Sequence, residues 1–128
     1  MTEAEARRLV HAVLKAYGSY EKEELPDDVR ALPISFGDVD LELAFDDGAL
    51  RVRALIYRFA KPPSPSIAER LRTAEPKIGA LALEGDRITL ALVYKKASIS
   101  RVLTELEALV EESRAWISDG LIELLAPE

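Results

Sequence analysis

Residues 39–55 read VDLELAFDDGALRVRAL, and this stretch determines the class of fold. Apolar residues alternate with polar ones on both sides of Asp47-Gly48, which is typical of two half-buried strands. Asp-Gly is a favourable pair for a two-residue hairpin turn, because both central residues must adopt positive φ. The turn sets a register in which Phe45 faces Leu50 and Leu43 faces Val52. The pattern therefore predicts an antiparallel hairpin with one apolar face.

Charged residues on the second face of this hairpin agree with the same register. Glu42 lies across from Arg53, so a slip of one residue would destroy the charge match as well as the apolar one. A second hairpin is predicted at Gly85-Asp86, where Leu83 would pair with Ile88. Residues 32–36 alternate in the same way and add a strand before the first hairpin. The sequence thus predicts about five antiparallel strands.

Helical periodicity appears at both ends of the chain and between the hairpins. Helices are predicted over residues 3–17, 67–74 and about 99–117. Capping boxes at residues 2–5 and 66–69 indicate where the first two helices begin. Ser98 or Ser100 is the expected N-cap of the long helix. The polar, acidic residues 19–30 predict a surface connection. The apolar stripe of the long helix extends to Trp116 and Ile117.

The predicted element order is α-β-β-β-α-β-β-α. Antiparallel hairpins with helices gathered on one face give an α+β fold, and 128 residues suit a single domain over 1–128. The second face of the sheet is partly polar. We expect it to be solvated or used in association.

Composition and charge exclude several classes of function. The formal net charge is -6, and no long run of Lys or Arg is present, so nucleic acid is not an expected partner. The absence of Cys excludes disulfides and thiol chemistry. No apolar stretch approaches a membrane span and no signal segment opens the sequence, which predicts a cytoplasmic protein. Absent Asn and Gln, with a single Met, suggest a thermophilic source.

Catalytic chemistry has little support in the residues. His11, the single histidine, is expected at a helix surface, and neither a nucleophile elbow nor a phosphate-binding loop appears. We therefore predict a protein that is not an enzyme and holds no cofactor. The alternative is a small metal-dependent enzyme, because Asp38, Asp40 and Glu42 alternate along one strand and such oxygens bind magnesium or calcium. Arginines opposite these acids favour a solvated face instead.

Apolar side chains on the less buried sheet face mark the expected protein-binding surface. The end of the third strand places three apolar side chains on this face, those of Leu55, Tyr57 and Phe59. The prolines that follow leave no further strand to cover them. Tyr94 ends the fifth strand and is added to the set. Exposed apolar patches of this kind are association sites. A second buried core is the other interpretation of the same residues.

Four stretches together resemble a known family. They are ISFGDVDLEL (residues 34–43), ALRVRAL (49–55), GALALEGDRITL (79–90) and LTELEALVEESRAW (103–116). The pattern is similar to the type III secretion chaperone-like fold, which includes the bacterial YbjN-like proteins, over nearly the whole chain. This resemblance implies a small, acidic, non-enzymatic protein that forms a homodimer. The secretion chaperones of the family hold an extended partner segment on their surface, so the resemblance also implies peptide binding.

Overall fold

The computed structural model describes residues 1–17 and 32–125. Its elements are α1 (Glu3–Ala16), β1 (Leu32–Phe36), β2 (Val39–Asp46), β3 (Ala49–Arg58), α2 (Pro65–Thr73), β4 (Ala80–Glu84), β5 (Arg87–Tyr94), α3 (Ile99–Ala115), a π-helical turn (Trp116–Gly120) and α4 (Leu121–Leu124). The strands form one antiparallel sheet in the order β1-β2-β3-β5-β4. The predicted α+β class and order of elements are confirmed. The predicted surface connection at residues 19–30 lies outside the described residues.

Both hairpins have the predicted registers. Phe45 pairs with Leu50 and Leu43 pairs with Val52, across a turn in which Asp47 and Gly48 have φ of 49° and 72°. The second hairpin pairs residue 83 with residue 88 and residue 81 with residue 90. Asp-Gly supplies positive φ at both turn positions at little cost, so local chemistry alone fixes where the strands meet.

A single apolar cluster joins the sheet to the helices. Alternate side chains of the strands meet the buried faces of α1 and α3, with fully buried members that include Val10, Val13, Leu43, Leu50, Val52, Leu90, Leu106 and Leu109. Ser113 is also fully buried in α3, and its hydroxyl donates to the Leu109 carbonyl at 2.7 Å. This hydrogen bond removes the penalty of burying a hydroxyl. Ile99, expected in the buried stripe, is 46 % exposed at the start of α3.

Side-chain caps begin the first and last long helices. Thr2 is the N-cap of α1 as predicted, with the Glu5 amide donating to Thr2 Oγ1 at 3.2 Å, but the Glu5 carboxylate accepts from the Thr2 hydroxyl at 3.2 Å and not from a first-turn amide as a full capping box requires. Of the two serines proposed for α3, the cap is Ser98, which accepts from the Arg101 amide at 3.2 Å. Each such cap contributes about 1 kcal/mol to helix stability.

The start of α2 differs from the prediction. Ser64 is the N-cap and accepts from the Ser66 amide at 3.4 Å, so the capping box proposed for Ser66 and Glu69 is wrong. The reason is Pro65. Proline has no N–H and a φ suited to a helix, and it is therefore favoured at the first helical position directly after the cap.

The C-terminal end of α3 widens into a π-helical turn, after which α4 packs its buried residue, Leu124, into the core. Trp116 and Ile117 are partly buried against the core. Gly120 lies directly against the Trp116 ring, where a Cβ would overlap the indole, so this close approach requires glycine. Within the described ranges, no helix combines the length and the apolar character needed to cross a bilayer.

Candidate functional site

One face of the sheet is not part of the helix-covered core, and we call it the open face. All buried residues of the described helices except Ala6 and Ser113 belong to the cluster on the other side. The open face carries charged side chains from β2, β3, β5 and β4. Arg51 binds Asp46 at 2.8 Å, and Arg53 lies 3.4 Å from a carboxylate oxygen of Glu42 and of Glu84. Such partly exposed pairs contribute little stability each, so they mainly order the surface.

A β-bulge in β3 divides the predicted apolar patch. Leu55 pairs with Thr89 of β5, but the next pair is Tyr57 with Ile88, so Ile56 is an extra residue in the ladder. An extra residue reverses the alternation of side chains beyond it. Leu55 therefore lies on the open face, while Tyr57 lies opposite Ile88, a fully buried core residue. The expectation that Leu55, Tyr57 and Phe59 share one face is wrong for this reason.

The four residues predicted for protein binding do not form one surface. Tyr57 is 38 % exposed and stacks edge-to-face on Phe59, with ring centroids 4.9 Å apart. Phe59 is half-buried and packs against the core. Leu55 is half-buried on the open face, and Tyr94 is only 2 % exposed. Tyr57 is thus the one aromatic side chain of the four that solvent reaches substantially.

Tyr94 is a core residue with an unusual environment. Its hydroxyl oxygen is buried without a hydrogen-bond partner among the described residues, and the Arg101 guanidinium lies 5.6 Å from the ring centroid. Burial, with a smaller effect from the charge of Glu105, raises the pKa of Tyr94 to about 12, although Arg101 acts in the opposite direction. The ring contributes packing and a cation–π contact.

The acidic residues considered for a metal site point to separate partners. Asp38 precedes β2 and accepts from Arg114 Nε at 3.0 Å, and this hydrogen bond holds the pKa of Asp38 below its usual range. Asp40 accepts from the Ser35 hydroxyl at 3.1 Å. Glu42 lies 3.4 Å from Arg53 of β3. Over residues 1–17 and 32–125, no three Asp, Glu or His side chains are grouped in a way that could hold a metal ion.

Edges of the sheet are a second potential site. β4 pairs with β5 on one side, and no strand of the described chain pairs with its other side. Its sequence, ALALE, has neither the proline nor the lysine that commonly protects an edge strand. β1, at the other edge, contains Pro33, which cannot donate a backbone hydrogen bond. β4 is therefore the less protected edge.

The open face also contains a cavity that the sequence did not indicate. An open cavity of about 280 Å³ is lined by three arginines, Arg53, Arg58 and Arg87, by three carboxylates, Asp40, Glu42 and Glu84, and by Leu55, Thr89 and further residues of β1 and β2. Sequence reasoning did not single out Arg58, because the bulge that turns it to the open face has no local sequence signature. Sequence reasoning therefore had no means of placing Arg58 beside Arg87.

Comparison with known proteins adds no family to these observations. No protein-family model matches the chain, and no curated protein matches it. Functional inference therefore depends on the residues and their geometry.

Proposed function

We propose that this chain is a non-enzymatic protein-binding module that adds an extended strand to the free edge of β4, and that its first partner is a second copy of itself. A sheet edge offers unpaired backbone N–H and C=O groups, and main-chain hydrogen bonds to an added strand supply affinity. The single observation in support is the outer edge of β4, Ala80–Glu84, which pairs with no strand of the described chain, although α2 contacts β4.

The side chains of β4 support the same proposal. Leu81 and Leu83 are only half-buried although they pack against the core, so part of their apolar surface remains available. Two copies of β4 related by a twofold axis would run antiparallel, as an isologous interface requires. The resulting continuous sheet would leave the open face of each copy accessible. The same edge would accept an extended segment of another protein.

The test is a charge placed on the edge strand. Ala82 lies on the open face of β4, opposite Thr89, where a lysine stem can extend towards solvent. Edge lysines oppose strand addition, so Ala82→Lys is expected to reduce self-association while circular dichroism shows an unchanged fold. Self-association is measured by sedimentation over a range of protein concentrations.

A matched control introduces the same charge at the other edge. Ser35→Lys on β1 is expected to self-associate as the unaltered chain does. Equal association of the Ala82→Lys and Ser35→Lys variants, or a monomer at every concentration, would contradict strand addition between copies. Tyr57→Ser examines the exposed aromatic separately, and unchanged association of this variant would restrict the interface to β4.

A further inference from the structure

The cavity on the open face contains an unusual pair of cations. Arg58 and Arg87 occupy directly opposed positions on β3 and β5, and both line the cavity. Like charges directly opposite each other on adjacent strands are destabilising. Neither arginine forms an ion pair within residues 1–17 and 32–125, in contrast to the paired Arg51 and Arg53. The pair therefore presents guanidinium groups that no direct ion pair of the described chain engages, in a cavity whose other charged residues include the acids Asp40, Glu42 and Glu84.

The carboxylate opposite Arg87 in the sheet register binds another residue. Glu84 lies opposite Arg87 in the register of β4 and β5, but its carboxylate binds Arg53 at 3.4 Å. Because β5 lies between β3 and β4, the Arg53 side chain must cross β5 to reach Glu84. Arg53 also contacts Glu42 on the other side, so it forms a strap across the middle of the open face. Glu84, the acid opposite Arg87, is thereby engaged by Arg53.

A buried hydroxyl lies on the same strand, beneath the cavity. Thr89 is only 4 % exposed, lines the cavity, and has no hydrogen-bond partner for Oγ1 among the described residues. A buried hydroxyl without a partner is unfavourable, and a bound group that hydrogen-bonds to it would remove this penalty. Thr89 is two residues from Arg87 and directly opposite Leu55. The Thr89 hydroxyl, the Leu55 side chain and the two arginines therefore line the same cavity.

We propose that this cavity binds a small molecule through a carboxylate or phosphate group, held between Arg58 and Arg87 above Thr89. Guanidinium groups bind these planar or tetrahedral oxyanions through paired, charge-assisted hydrogen bonds. A volume of about 280 Å³ suits a ligand of metabolite size and is small for a folded segment of several residues. The site lies on the open face and is independent of strand addition at β4.

The experiment follows binding of inorganic phosphate and of succinate by two-dimensional NMR, with sodium chloride at equal ionic strength as the reference. We expect shifts concentrated on Leu55, Arg58, Arg87 and Thr89. Replacement of both arginines, Arg58→Gln with Arg87→Gln, is expected to weaken binding roughly tenfold or more, because each charge-assisted hydrogen bond exceeds the free energy of a tenfold change. The ratio of phosphate to succinate affinity then distinguishes the two ligand sources.

The control variant removes two arginines elsewhere. Arg8→Gln with Arg72→Gln alters the net charge equally on exposed helix positions of α1 and α2, and it is expected to bind as the unaltered chain does. If the cavity double variant does not fold, Arg87→Lys keeps the charge but loses the paired geometry, and it is expected to bind several-fold more weakly.

Several outcomes would overturn the proposal. Shifts spread evenly over the surface, shifts equal to those in chloride, or equal weakening in the Arg8/Arg72 variant would each show nonspecific screening. Binding of an oligoglutamate peptide at this face, with no binding of either small anion, would identify a peptide contact instead. Unchanged binding after replacement of Arg58 and Arg87 would show that these arginines do not hold the anion.

Discussion

Replacing Tyr94 by phenylalanine should stabilise the protein, and increasingly so at alkaline pH. The ring stays in the core and beneath Arg101, while the hydroxyl that lacks a partner is removed. An unsatisfied buried polar group costs about 1–3 kcal/mol, so Tyr94→Phe is expected to gain about 1 kcal/mol at neutral pH. Most substitutions of fully buried residues destabilise a protein, which makes the sign of this change informative.

The dependence of the free energy of unfolding on pH provides a second test. Burial raises the pKa of Tyr94 from 10.0 to about 12, so between these values the unfolded chain releases a proton that the folded chain keeps. The contribution to folding is fully present below pH 10 and is lost as pH rises towards 12. A shift of this size corresponds to about 3 kcal/mol. The advantage of Tyr94→Phe should therefore widen by up to about 3 kcal/mol over this interval.

The assay is urea unfolding of both proteins at a series of pH values, with the difference in the free energy of unfolding as the readout. Other groups titrate in both proteins and cancel in this difference. Tyr57→Phe, at a substantially exposed tyrosine, serves as the control and is expected to change stability little. A Tyr94→Phe protein that is about 1 kcal/mol less stable at neutral pH, with no widening above pH 10, would show that the hydroxyl has a partner and would refute the reasoning.

Two further predictions concern the backbone and the surface. Gly85→Ala should lower the free energy of unfolding by about 1 kcal/mol, since Gly85 has a φ of +64° but open space around it. Gly79→Ala should lower it by about 2–3 kcal/mol, because Gly79 has a φ of +78° and the new Cβ would lie 2.8 Å from the Ala91 carbonyl oxygen. Equal unfolding midpoints of the two variants would contradict this difference. Asp38→Asn should slightly lower stability at neutral pH. Because Arg114 favours the charged form, the Asp38 contribution is present above pH 3.8 and is lost as pH falls through its lowered pKa, so a difference in urea unfolding that persists at lower pH would disprove this contribution.

Local chemistry predicted the hairpins because each is specified by neighbouring residues. Asp47-Gly48 supplies the turn, and the apolar alternation on either side admits only one register with a buried face. The Thr2–Glu5 cap followed from the same short-range logic. The cap proposed for α2 lies two residues too late, because Pro65 favours the first helical position and makes Ser64 the N-cap.

The candidate site could not be predicted in the same way, because it depends on strands that are distant in sequence. Leu55 and Tyr57 would lie on the same face of the sheet only if β3 were regular. The bulge that separates them arises where β3 pairs with β5. That irregularity turns Arg58 to the open face and opposite Arg87. The sequence by itself determined the strands, their hairpin registers and the α+β class. Only the tertiary structure decided the strand order, the burial of Tyr94 and the faces of Tyr57 and Arg58, because long-range pairing sets which side of a strand each side chain occupies.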